Sequence, residues 1–352
     1  MSDLQHGTPE APTPAKLPTI YDVARAAGVS ASTVSRAFSR PGRIRATTAE
    51  YVRRVAAELG YPGKPLGPSL PTGRTAMLAL VVSDVTNPFY TEIMRGAQSA
   101  ASDAGYILLL VDARETEAFE RVGLERALAA IEGVILAGTR QSDSAIAAIA
   151  GHRPVVVLNR EVPGVPSILL DNAQGMRAIV EHLTDLGHQS LTYVAGPEAS
   201  WADDVRWRSL RAAADDLGCG IERSGPWFPT VTGGRAAAAA LPPALPGTLP
   251  TAIATYNDQI AIGLILALRS RGICVPQEVS VVGFDDILPS QMVDPPLTTV
   301  AAPLRAQGRA AVNAVLSTLE NPTAASRRPP QTLPVKLVVR ASTGQARQAA
   351  AR

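Results

Sequence analysis

Residues 19–38 read TIYDVARAAGVSASTVSRAF, and this stretch decides how the amino-terminal part of the chain folds. Its apolar residues recur three and four positions apart, which predicts two short amphipathic helices. Thr19, with Asp22 three residues later, matches a helix-capping box. Gly28 supplies the permissive backbone of a tight turn, and Ser30 is placed to cap the second helix. The stretch therefore predicts a helix-turn-helix unit.

The second predicted helix carries a polar stripe opposite Val34 and Phe38, which are expected to face a core. The stripe lies at positions i, i+3, i+4 and i+7 and comprises Ser32, Ser35, Arg36 and Ser39. A short helix with such a stripe suits insertion into the major groove of DNA. The alternative is a small helical bundle whose serines are only solvated.

A third helix is predicted over residues 48–59, and it completes a three-helix unit. Thr47 and Glu50 repeat the capping pattern, and Gly60 is expected to end the helix. The apolar stripe consists of Val52, Val55, Ala56 and Leu59. Residues 19–62 contain seven arginines against three acidic residues, a charge of +4, although the whole chain is only +2. Basic charge concentrated in one small unit indicates a binder of a polyanion such as DNA.

The composition of the whole chain bounds the other possibilities. A chain of 352 residues with 46% apolar residues is long enough for two or three domains. It contains no run of 18 apolar residues, so no membrane span is expected. The amino terminus lacks a signal-peptide pattern, and two cysteines fit a reducing compartment. We therefore expect a cytoplasmic protein that makes no membrane contact.

Apolar runs alternate with helical stretches beyond a Pro- and Gly-rich segment at residues 63–75. Strands are predicted at residues 77–82, 106–111, 133–136, 155–158, 191–194, 252–254 and 279–282. Helices are predicted to start at Asn87-Pro88, Asp171-Asn172 and Asn257-Asp258. This alternation is typical of parallel sheets, which bind ligands at the carboxyl ends of their strands. The pattern predicts two doubly wound α/β subdomains with a cleft.

The sequence gives little support to an enzyme. It contains none of the common phosphate-binding, dinucleotide-binding, serine-hydrolase or zinc-protease motifs. Its four histidines are dispersed, and His182 and His188 stand six residues apart, which is a poor spacing for one helix face. No metal site, no cofactor and no catalytic residue is therefore expected. The rival interpretation is a solute-binding receptor without DNA function, which would need export.

The motifs, taken in order, carry a resemblance to a known family. The amino-terminal motif is DVARAAGVSASTVSRAF, and the later motifs are DVTNPFY, DNAQGM, HLTDLGH, VAGP, TYNDQIAIG, SVVGFDD and PPLTTV. From Thr19 to about Thr343 the chain resembles the lac repressor (LacI/GalR) family of transcriptional regulators. The resemblance implies a homodimer, in some relatives a tetramer, with two DNA-binding heads on a pseudopalindromic operator. It also implies a periplasmic-binding-protein-like body that binds a small effector.

The expected domain organisation follows from the composition and the resemblance together. A disordered arm is predicted at 1–18, the all-α helix-turn-helix domain at 19–62, the linker at 63–75 and the effector-binding and dimerisation body at 76–343. Within the body, the N-subdomain is expected at about 76–171 plus 298–325. The C-subdomain is expected at about 172–297 plus 330–343, followed by a tail at 344–352.

The resemblance assigns roles to residues of the head and linker. It implies that Ala31, Ser32 and Arg36 read bases, and a guanidinium can grip guanine through two hydrogen bonds. Positions that contact the DNA backbone in relatives match Ile20, Tyr21, Ser30, Ser35, Arg43, Arg45, Thr48 and Tyr61. For Arg45 a solvated surface charge is an equal alternative. In relatives a leucine matching Leu70, on a hinge helix, wedges into the minor groove.

This chain departs from the family in its linker. The segment around Leu70 contains Pro65, Gly67, Pro68 and Pro71. A proline inside a helix removes a backbone donor and crowds the preceding turn, at a cost of about 3 kcal/mol. Whether the hinge helix forms, and whether it links effector to DNA affinity in the usual way, is therefore left open.

The resemblance also implies an effector site built from residues that follow the strands of the body. Its expected members are Asn87, Phe89, Tyr90, Asn159, Arg160, Trp201, Arg206, Trp227, Asn257 and Asp285. Asn87 has a helix cap as its alternative role, and both tryptophans have core packing as theirs. Polar planar groups with aromatic faces suit a sugar, with or without a phosphate. A nucleobase and the absence of any effector are the other readings, and an inducer or a corepressor fits equally.

Overall fold

The computed structural model describes residues 18–39, 44–59, 61, 75–242, 249–321 and 329–347. The chain divides into two compact units, Met1–Gly73 and Arg74–Arg352, here called the head and the body. Among the described residues no helix has the length and apolar character needed to span a membrane. The predicted arm at 1–18, apart from Pro18, lies outside the described residues, as do Pro62 of the predicted head and Gly63 to Arg74 of the linker.

The head contains three helices, α1 (Ile20–Ala27), α2 (Ala31–Ser39) and α3 (Ala46–Glu58). The Asp22 carboxylate accepts hydrogen bonds from the backbone nitrogen of Thr19 at 2.8 Å and from its hydroxyl at 2.6 Å. Gly28 ends α1 in the left-handed conformation, with φ 64°. The hydroxyl of Ser30 accepts from the backbone nitrogen of Thr33 at 3.2 Å, which caps α2. The predicted helix-turn-helix unit is thus confirmed.

The core of the head is built from the apolar faces of its three helices. Its buried members are Val23, Ala24, Ala27, Val34, Ala37, Ala49, Val52, Val55 and Ala56. Two expectations for α3 are wrong. The helix begins two residues earlier than predicted, with extended Arg45 as its N-cap, so Thr47 lies inside the first turn and cannot cap it. Leu59 is 41% exposed and follows the last helical residue. Gly60 lies outside the described residues.

The first half of the body forms one parallel sheet with helices on its faces. Its elements are β1 (Met77–Val82), α4 (Pro88–Asp103), β2 (Ile107–Asp112), α5 (Glu117–Ala127), β3 (Gly133–Ala137), α6 (Asp143–Ala150), β4 (Val155–Leu158), β5 (Ser167–Leu170), α11 (Leu304–Glu320) and β11 (Gln331–Leu333). The strand order is β11-β5-β4-β3-β1-β2, and all pairs are parallel. Because β3 and β4 are covered on both faces, their residues are almost all buried.

The second half of the body repeats this arrangement. Its elements are α7 (Asn172–Asp185), β6 (Ser190–Val194), α8 (Trp201–Leu217), β7 (Gly220–Ser224), α9 (Val231–Ala239), β8 (Ala252–Thr255), α10 (Asp258–Ser270), β9 (Ser280–Asp285), a short 3-10 helix (Leu288–Gln291), β10 (Thr298–Ala301) and β12 (Lys336–Val338). The strand order is β12-β10-β9-β8-β6-β7, and β12 is antiparallel to β10. The two predicted doubly wound subdomains are confirmed.

The strand order of both sheets fixes where a ligand can bind. In each sheet the first strand lies between the second and the third, so the direction of winding reverses at β1/β3 and at β6/β8. The loops leaving such a pair of strands diverge to opposite faces and leave a crevice at their carboxyl ends. The segments after β1, β3, β6 and β8 are therefore expected to contribute to the site.

The subdomain boundaries differ from the predicted ones. Residues 298–301, expected in the N-subdomain, form β10 and pair with β9 of the second sheet, so the chain crosses between Ala301 and Leu304. Residues 331–333, expected in the C-subdomain, form β11 and pair with β5 of the first sheet. The start of the predicted tail belongs to the body, because the backbone nitrogen of Ala346 donates to the carbonyl of Leu186 at 2.8 Å.

Candidate functional site

The second helix of the head presents a polar face to solvent. Ser32, Ser35 and Arg36 are exposed, whereas Val34 on the opposite face is fully buried. Among the described residues Arg36 makes no hydrogen bond or ion pair, so its guanidinium is available to a ligand. Ala31 is only partly buried and packs against the head core, which leaves its methyl group half accessible.

The other predicted DNA contacts lie around this helix. Tyr21 is 69% exposed, and Ser30 and Arg45 are exposed as well. Ile20, Thr48 and Tyr61 are half-buried, and the ring of Tyr61 packs on that of Phe38 with centroids 6.0 Å apart. Arg43 and Leu70 lie outside the described residues, as does the side chain of Ser39.

Arg53 on α3 supports the recognition helix rather than adding free charge. Its Nε and Nη2 atoms donate to the carbonyl oxygen of Ala37 at 3.1 and 2.8 Å. Ala37 lies in the last turn of α2, where carbonyl oxygens lack partners within the helix and a cation is favourable. Not all seven arginines of the head are therefore equally available to a phosphate.

We expect Arg53→Met to loosen the end of α2 by about 1–2 kcal/mol, because the carbonyl of Ala37 loses a charged donor. The measurement is amide hydrogen exchange in residues 36–39 of the full chain, which should become roughly tenfold faster. Arg54→Met is the matched control, since Arg54 and its partner Glu58 are both exposed and 3.8 Å apart. Equal exchange in both variants would contradict this role of Arg53.

The body contains a cavity at the carboxyl ends of the two sheets. Nine of the ten predicted effector-site residues line it, namely Asn87, Phe89, Tyr90, Asn159, Arg160, Trp201, Arg206, Asn257 and Asp285. Further wall residues, which the sequence did not single out, include Glu115, Thr139, Arg140, Ser200 and Tyr256. Both subdomains contribute, so a ligand here would contact each of them.

Trp227 is the predicted residue that the structure does not place on this wall. Its indole nitrogen donates to the hydroxyl of Ser224 at 3.2 Å, and its ring packs against the apolar core. This contact matches core packing, the alternative considered for this tryptophan. Trp207, which is partly buried, stacks on Tyr193 with centroids 5.7 Å apart.

Arg206 organises the C-subdomain side of the cavity. It is 4% exposed, and its Nε donates to Asn172 Oδ1 at 3.0 Å. One terminal nitrogen donates to the backbone carbonyl of Tyr256, and the other lies 3.5 Å from Asp285 Oδ1. The guanidinium also lies over the ring of Phe284, 3.7 Å from its centroid. All three nitrogens are thus engaged, which fixes the plane that Arg206 presents.

Asp285 occupies a costly position, both electrostatically and conformationally. Burial raises the pKa of its carboxyl to about 8, although Arg206 opposes the rise. Its backbone has φ 118°, and two more wall residues, Glu115 and Asn159, have φ 56° and 60°. Left-handed backbone at non-glycine residues costs free energy and concentrates at functional sites. Three of the six non-glycine residues with positive φ among the described residues thus lie on the wall of this cavity.

The N-subdomain wall contains an ion pair that the sequence analysis missed. Arg140 Nη2 lies 2.6 Å from Glu115 Oε2, and the two side chains are 10% and 18% exposed. Behind them the buried Glu120 accepts from the hydroxyl of Thr139 and from the backbone nitrogen of Arg140. Burial raises the pKa of Glu120. Glu115 follows β2 and Arg140 follows β3, so their positions after strands were a usable signal.

The three asparagines of the wall differ in what they leave available. Asn87 Oδ1 accepts from the backbone nitrogen of Phe89 at 3.0 Å, so the proposed helix cap exists while its Nδ2 stays free. Asn257 Oδ1 caps α10 at Ile260, and its Nδ2 donates to the carbonyl of Pro229 at 3.2 Å. Asn159 Oδ1 accepts from Gln307 Nε2 at 2.8 Å. Asn87 and Asn159 therefore offer amide donors, whereas Asn257 chiefly holds two segments together.

Asp258, at the start of α10, is a buried carboxylate beneath the site. Its oxygens accept from the hydroxyls of Ser290 and Thr299, both at 2.6 Å, and from the backbone nitrogen of Ile287 at 3.0 Å. Burial nevertheless raises its pKa to about 7. Through these bonds Asp258 links α10 to the segment that follows β9, and Asp285 is the last residue of β9.

The free energy of unfolding of the body should therefore fall as the pH rises from 5 to 7.5. Between the unfolded pKa of 3.8 and the folded pKa of about 7, the folded chain holds a proton on Asp258 that the unfolded chain has lost. We expect the denaturant midpoint to drop from pH 5 to pH 7.5, and to drop less in Asp258→Asn, which mimics the protonated acid. All three tryptophans lie in the C-subdomain, so their fluorescence reports this transition. An identical pH dependence in both proteins would refute the assignment.

Comparison with known proteins adds to these observations. Residues 19–63 match the sequence profile of "Bacterial regulatory proteins, lacI family", and residues 180–343 match that of the "Periplasmic binding protein-like domain". The chain is 33% identical to the HTH-type transcriptional regulator DegA of Bacillus subtilis, over 82% of this chain and 88% of that protein. It is 30% identical to the HTH-type transcriptional repressor CytR of Escherichia coli, over 92% and 96%.

Two solved structures are also similar. The lac repressor dimer bound to operator and the anti-inducer ONPF aligns with a TM-score of 0.78 and 29% identity, over 94% of this chain and all of that chain. A LacI family regulator from Enterococcus faecium with bound ribose aligns with a TM-score of 0.67 and 25% identity, over 77% and 100%. From this sequence similarity, fold and order of motifs, the chain belongs to the lacI family of bacterial regulatory proteins.

Proposed function

We propose that this chain is a sequence-specific DNA-binding transcriptional repressor whose operator affinity changes when a small sugar binds in the cleft of the body. The observation that carries the proposal is the exposed face of α2, on which Arg36 makes no hydrogen bond or ion pair with the described residues. A guanidinium on such a face can donate two hydrogen bonds to a guanine edge in the major groove. The proposed activity is binding and not catalysis. We place the protein in the cytoplasm, where operator DNA lies.

The cleft supplies the regulatory half of the proposal. Asn87 and Asn159 offer donors from one subdomain, while Arg206 and Asp285 lie on the other, so a bound ligand would favour one angle between them. Coupling between ligand and operator must be reciprocal and is typically 1–3 kcal/mol, roughly 5- to 150-fold in affinity. A sugar is the preferred effector because the ribose-bound regulator from Enterococcus faecium shares this fold.

We further propose a homodimer, as in the operator-bound lac repressor structure. The strand β2 lies at one edge of its sheet and reads ILLLVD, yet Ile107 and Leu110 are 39% and 37% exposed. An exposed apolar edge strand is a common site of pairing with another chain.

We expect the wild-type chain to sediment at twice the chain mass and Leu110→Lys to shift toward the monomer. A Leu217→Lys control, on the similarly exposed end of α8, should stay dimeric. If both variants dissociate, or if neither does, the result would argue against β2 as part of the dimer interface.

The test of the proposed function is selection of duplex DNA from a random pool by the purified full chain at about 0.15 M salt. We expect enrichment of a pseudopalindromic site and at least 100-fold preference for it over random competitor. Sugars are then screened by thermal shift, and those that bind are added to the operator assay. The proposal fails if no sequence is enriched. Ligand binding without any DNA preference would instead favour a solute-binding receptor.

A further inference from the structure

The guanidinium groups of the cleft are all paired with carboxylates. Arg140 lies 2.6 Å from Glu115, Arg206 lies 3.5 Å from Asp285, and Arg160 lies 2.5 Å from Asp143. Glu115 and Asp285 themselves line the cavity, so the negative charge of Glu115 faces the same space as the arginines, whereas Asp285, with a pKa of about 8, is largely protonated at neutral pH. All three nitrogens of Arg206 are engaged by the protein, and Arg140 and Arg160 each have a carboxylate partner, so every guanidinium of the described wall already has a partner.

Glu115 holds a defined position in this arrangement. Its backbone nitrogen donates to the carbonyl of Ser83, and its left-handed backbone, φ 56°, turns the chain after β2 toward the cleft. Its carboxylate is 18% exposed and binds Arg140, which is 10% exposed. Poor hydration strengthens both the attraction within this pair and the repulsion of any second anion placed beside it. A phosphate bound to the guanidinium would therefore lie beside the Glu115 carboxylate and be repelled by it.

Neutral hydrogen-bonding groups remain available instead. Gln307 Nε2 donates to the carbonyl of Ile168 at 3.3 Å, and a carbonyl can only accept, so the orientation of the Gln307 amide is fixed. The same Nε2 donates to Asn159 Oδ1, which leaves Asn159 Nδ2 as the free atom. With Asn87 Nδ2 it makes two amide donors, while the Asp285 carboxyl, with a pKa of about 8, can donate or accept through Oδ2 near neutral pH. Hydroxyl groups, which both donate and accept, match this set.

We propose that Glu115 is a specificity determinant, which by neutralising Arg140 restricts the cleft to an uncharged polyhydroxy compound and excludes its phosphorylated form. The inference rests on the proposed effector-binding function and goes beyond it, because a sugar phosphate was an equally open possibility from the sequence. Removal of the carboxylate charge should convert Arg140 into a binding group for phosphate.

The experiment measures ligand binding to the full chain by thermal shift and titration calorimetry, with D-ribose, D-ribose 5-phosphate, D-glucose, D-glucose 6-phosphate and inorganic phosphate as probes. We expect wild-type chain to bind any neutral member at least tenfold more tightly than its phosphate ester. We expect Glu115→Gln, which keeps the size of the side chain, to bind inorganic phosphate or a phosphate ester at least tenfold more tightly than wild type. Glu125→Gln, on the exposed face of α5, is the control and should change neither.

Two results would overturn the inference. One is a wild-type chain that binds a phosphate ester as tightly as its parent sugar or more tightly. The other is a folded Glu115→Gln chain that gains no affinity for any phosphate probe. If no sugar of this set binds, the affinities of wild type and Glu115→Gln for inorganic phosphate still test the inference. If the variant does not fold, the wild-type affinities for each sugar and its phosphate ester still test it. A chain that binds neutral sugars without a change in operator affinity would refute the regulatory proposal and leave this inference intact.

Discussion

Arg36→Ala should abolish operator preference while leaving weak DNA binding that is sensitive to salt. The side chain is exposed on α2 and, within the described part of the head, has no internal partner to lose. A bidentate contact from a guanidinium to guanine is worth about 1–3 kcal/mol, roughly 5- to 150-fold in discrimination at one base pair. The measurement is the affinity for the selected operator, compared with a copy in which that guanine is replaced, across a range of salt concentrations.

Two further variants separate base reading from charge. Arg36→Lys keeps the charge but cannot form the two parallel hydrogen bonds, so it should retain general DNA binding and lose most of the preference. Arg54→Ala removes one charge from α3, where Arg54 is paired with Glu58, and should weaken all sequences about equally. If Arg36→Ala keeps the wild-type ranking of operator sequences, another residue reads the base.

The head was largely predictable because its signals are local. The capping box of Thr19 and Asp22, the glycine turn and the cap by Ser30 each depend on residues within four positions of one another. The start of α3 was predicted two residues late because Arg45 has no side chain that caps a helix, yet its extended backbone performs that role. The bond from Arg53 to Ala37 spans 16 residues and had no local signature.

The body was predictable where strands are fully buried, and less so at its edges. The strands β1 and β4 have the predicted bounds because buried strands read as continuous apolar runs. Five strands escaped prediction, namely β5, β7, β10, β11 and β12. β7 reads GIERS with mostly exposed residues, and β11 and β12 have three residues each. Such short or polar strands are defined by the neighbour they pair with, which also explains the misplaced crossings.

The cleft was predicted in outline because residues after parallel strands converge at one edge of the sheet. What the sequence could not show is which polar groups are already engaged by the protein. The pairing of Arg140 with Glu115, the engagement of the Asn257 amide and the fixing of Asn159 by Gln307 all join residues far apart in sequence. Trp227 follows a strand like the true wall residues, but its indole bonds Ser224 and turns into the core.

Arg206→Met should be among the most destabilising single substitutions in the body. The change leaves Asn172 Oδ1 and the carbonyl of Tyr256 without their donor. It also leaves the buried Asp285 carboxyl without its arginine partner. Breaking a buried pair on one side costs about 3–5 kcal/mol, which corresponds to roughly 6–20 °C in the unfolding midpoint. The loss of stability should grow from pH 6 to pH 9, because the Asp285 carboxyl without Arg206 must keep its proton to stay buried. The same variant should also lose its response to any effector.

A double-mutant cycle shows whether this cost belongs to the pair itself. Arg206→Met, Asp285→Leu and the combination are compared by tryptophan fluorescence during denaturation. Arg208→Met is the control, because that arginine is exposed on the same helix and pairs with the exposed Asp204. In the combined variant no charge is left buried alone, so its loss should be smaller than the sum of the single losses by more than about 1 kcal/mol. Simple additivity would mean that Arg206 stabilises the cleft through Asn172 and the Tyr256 carbonyl, with Asp285 held independently.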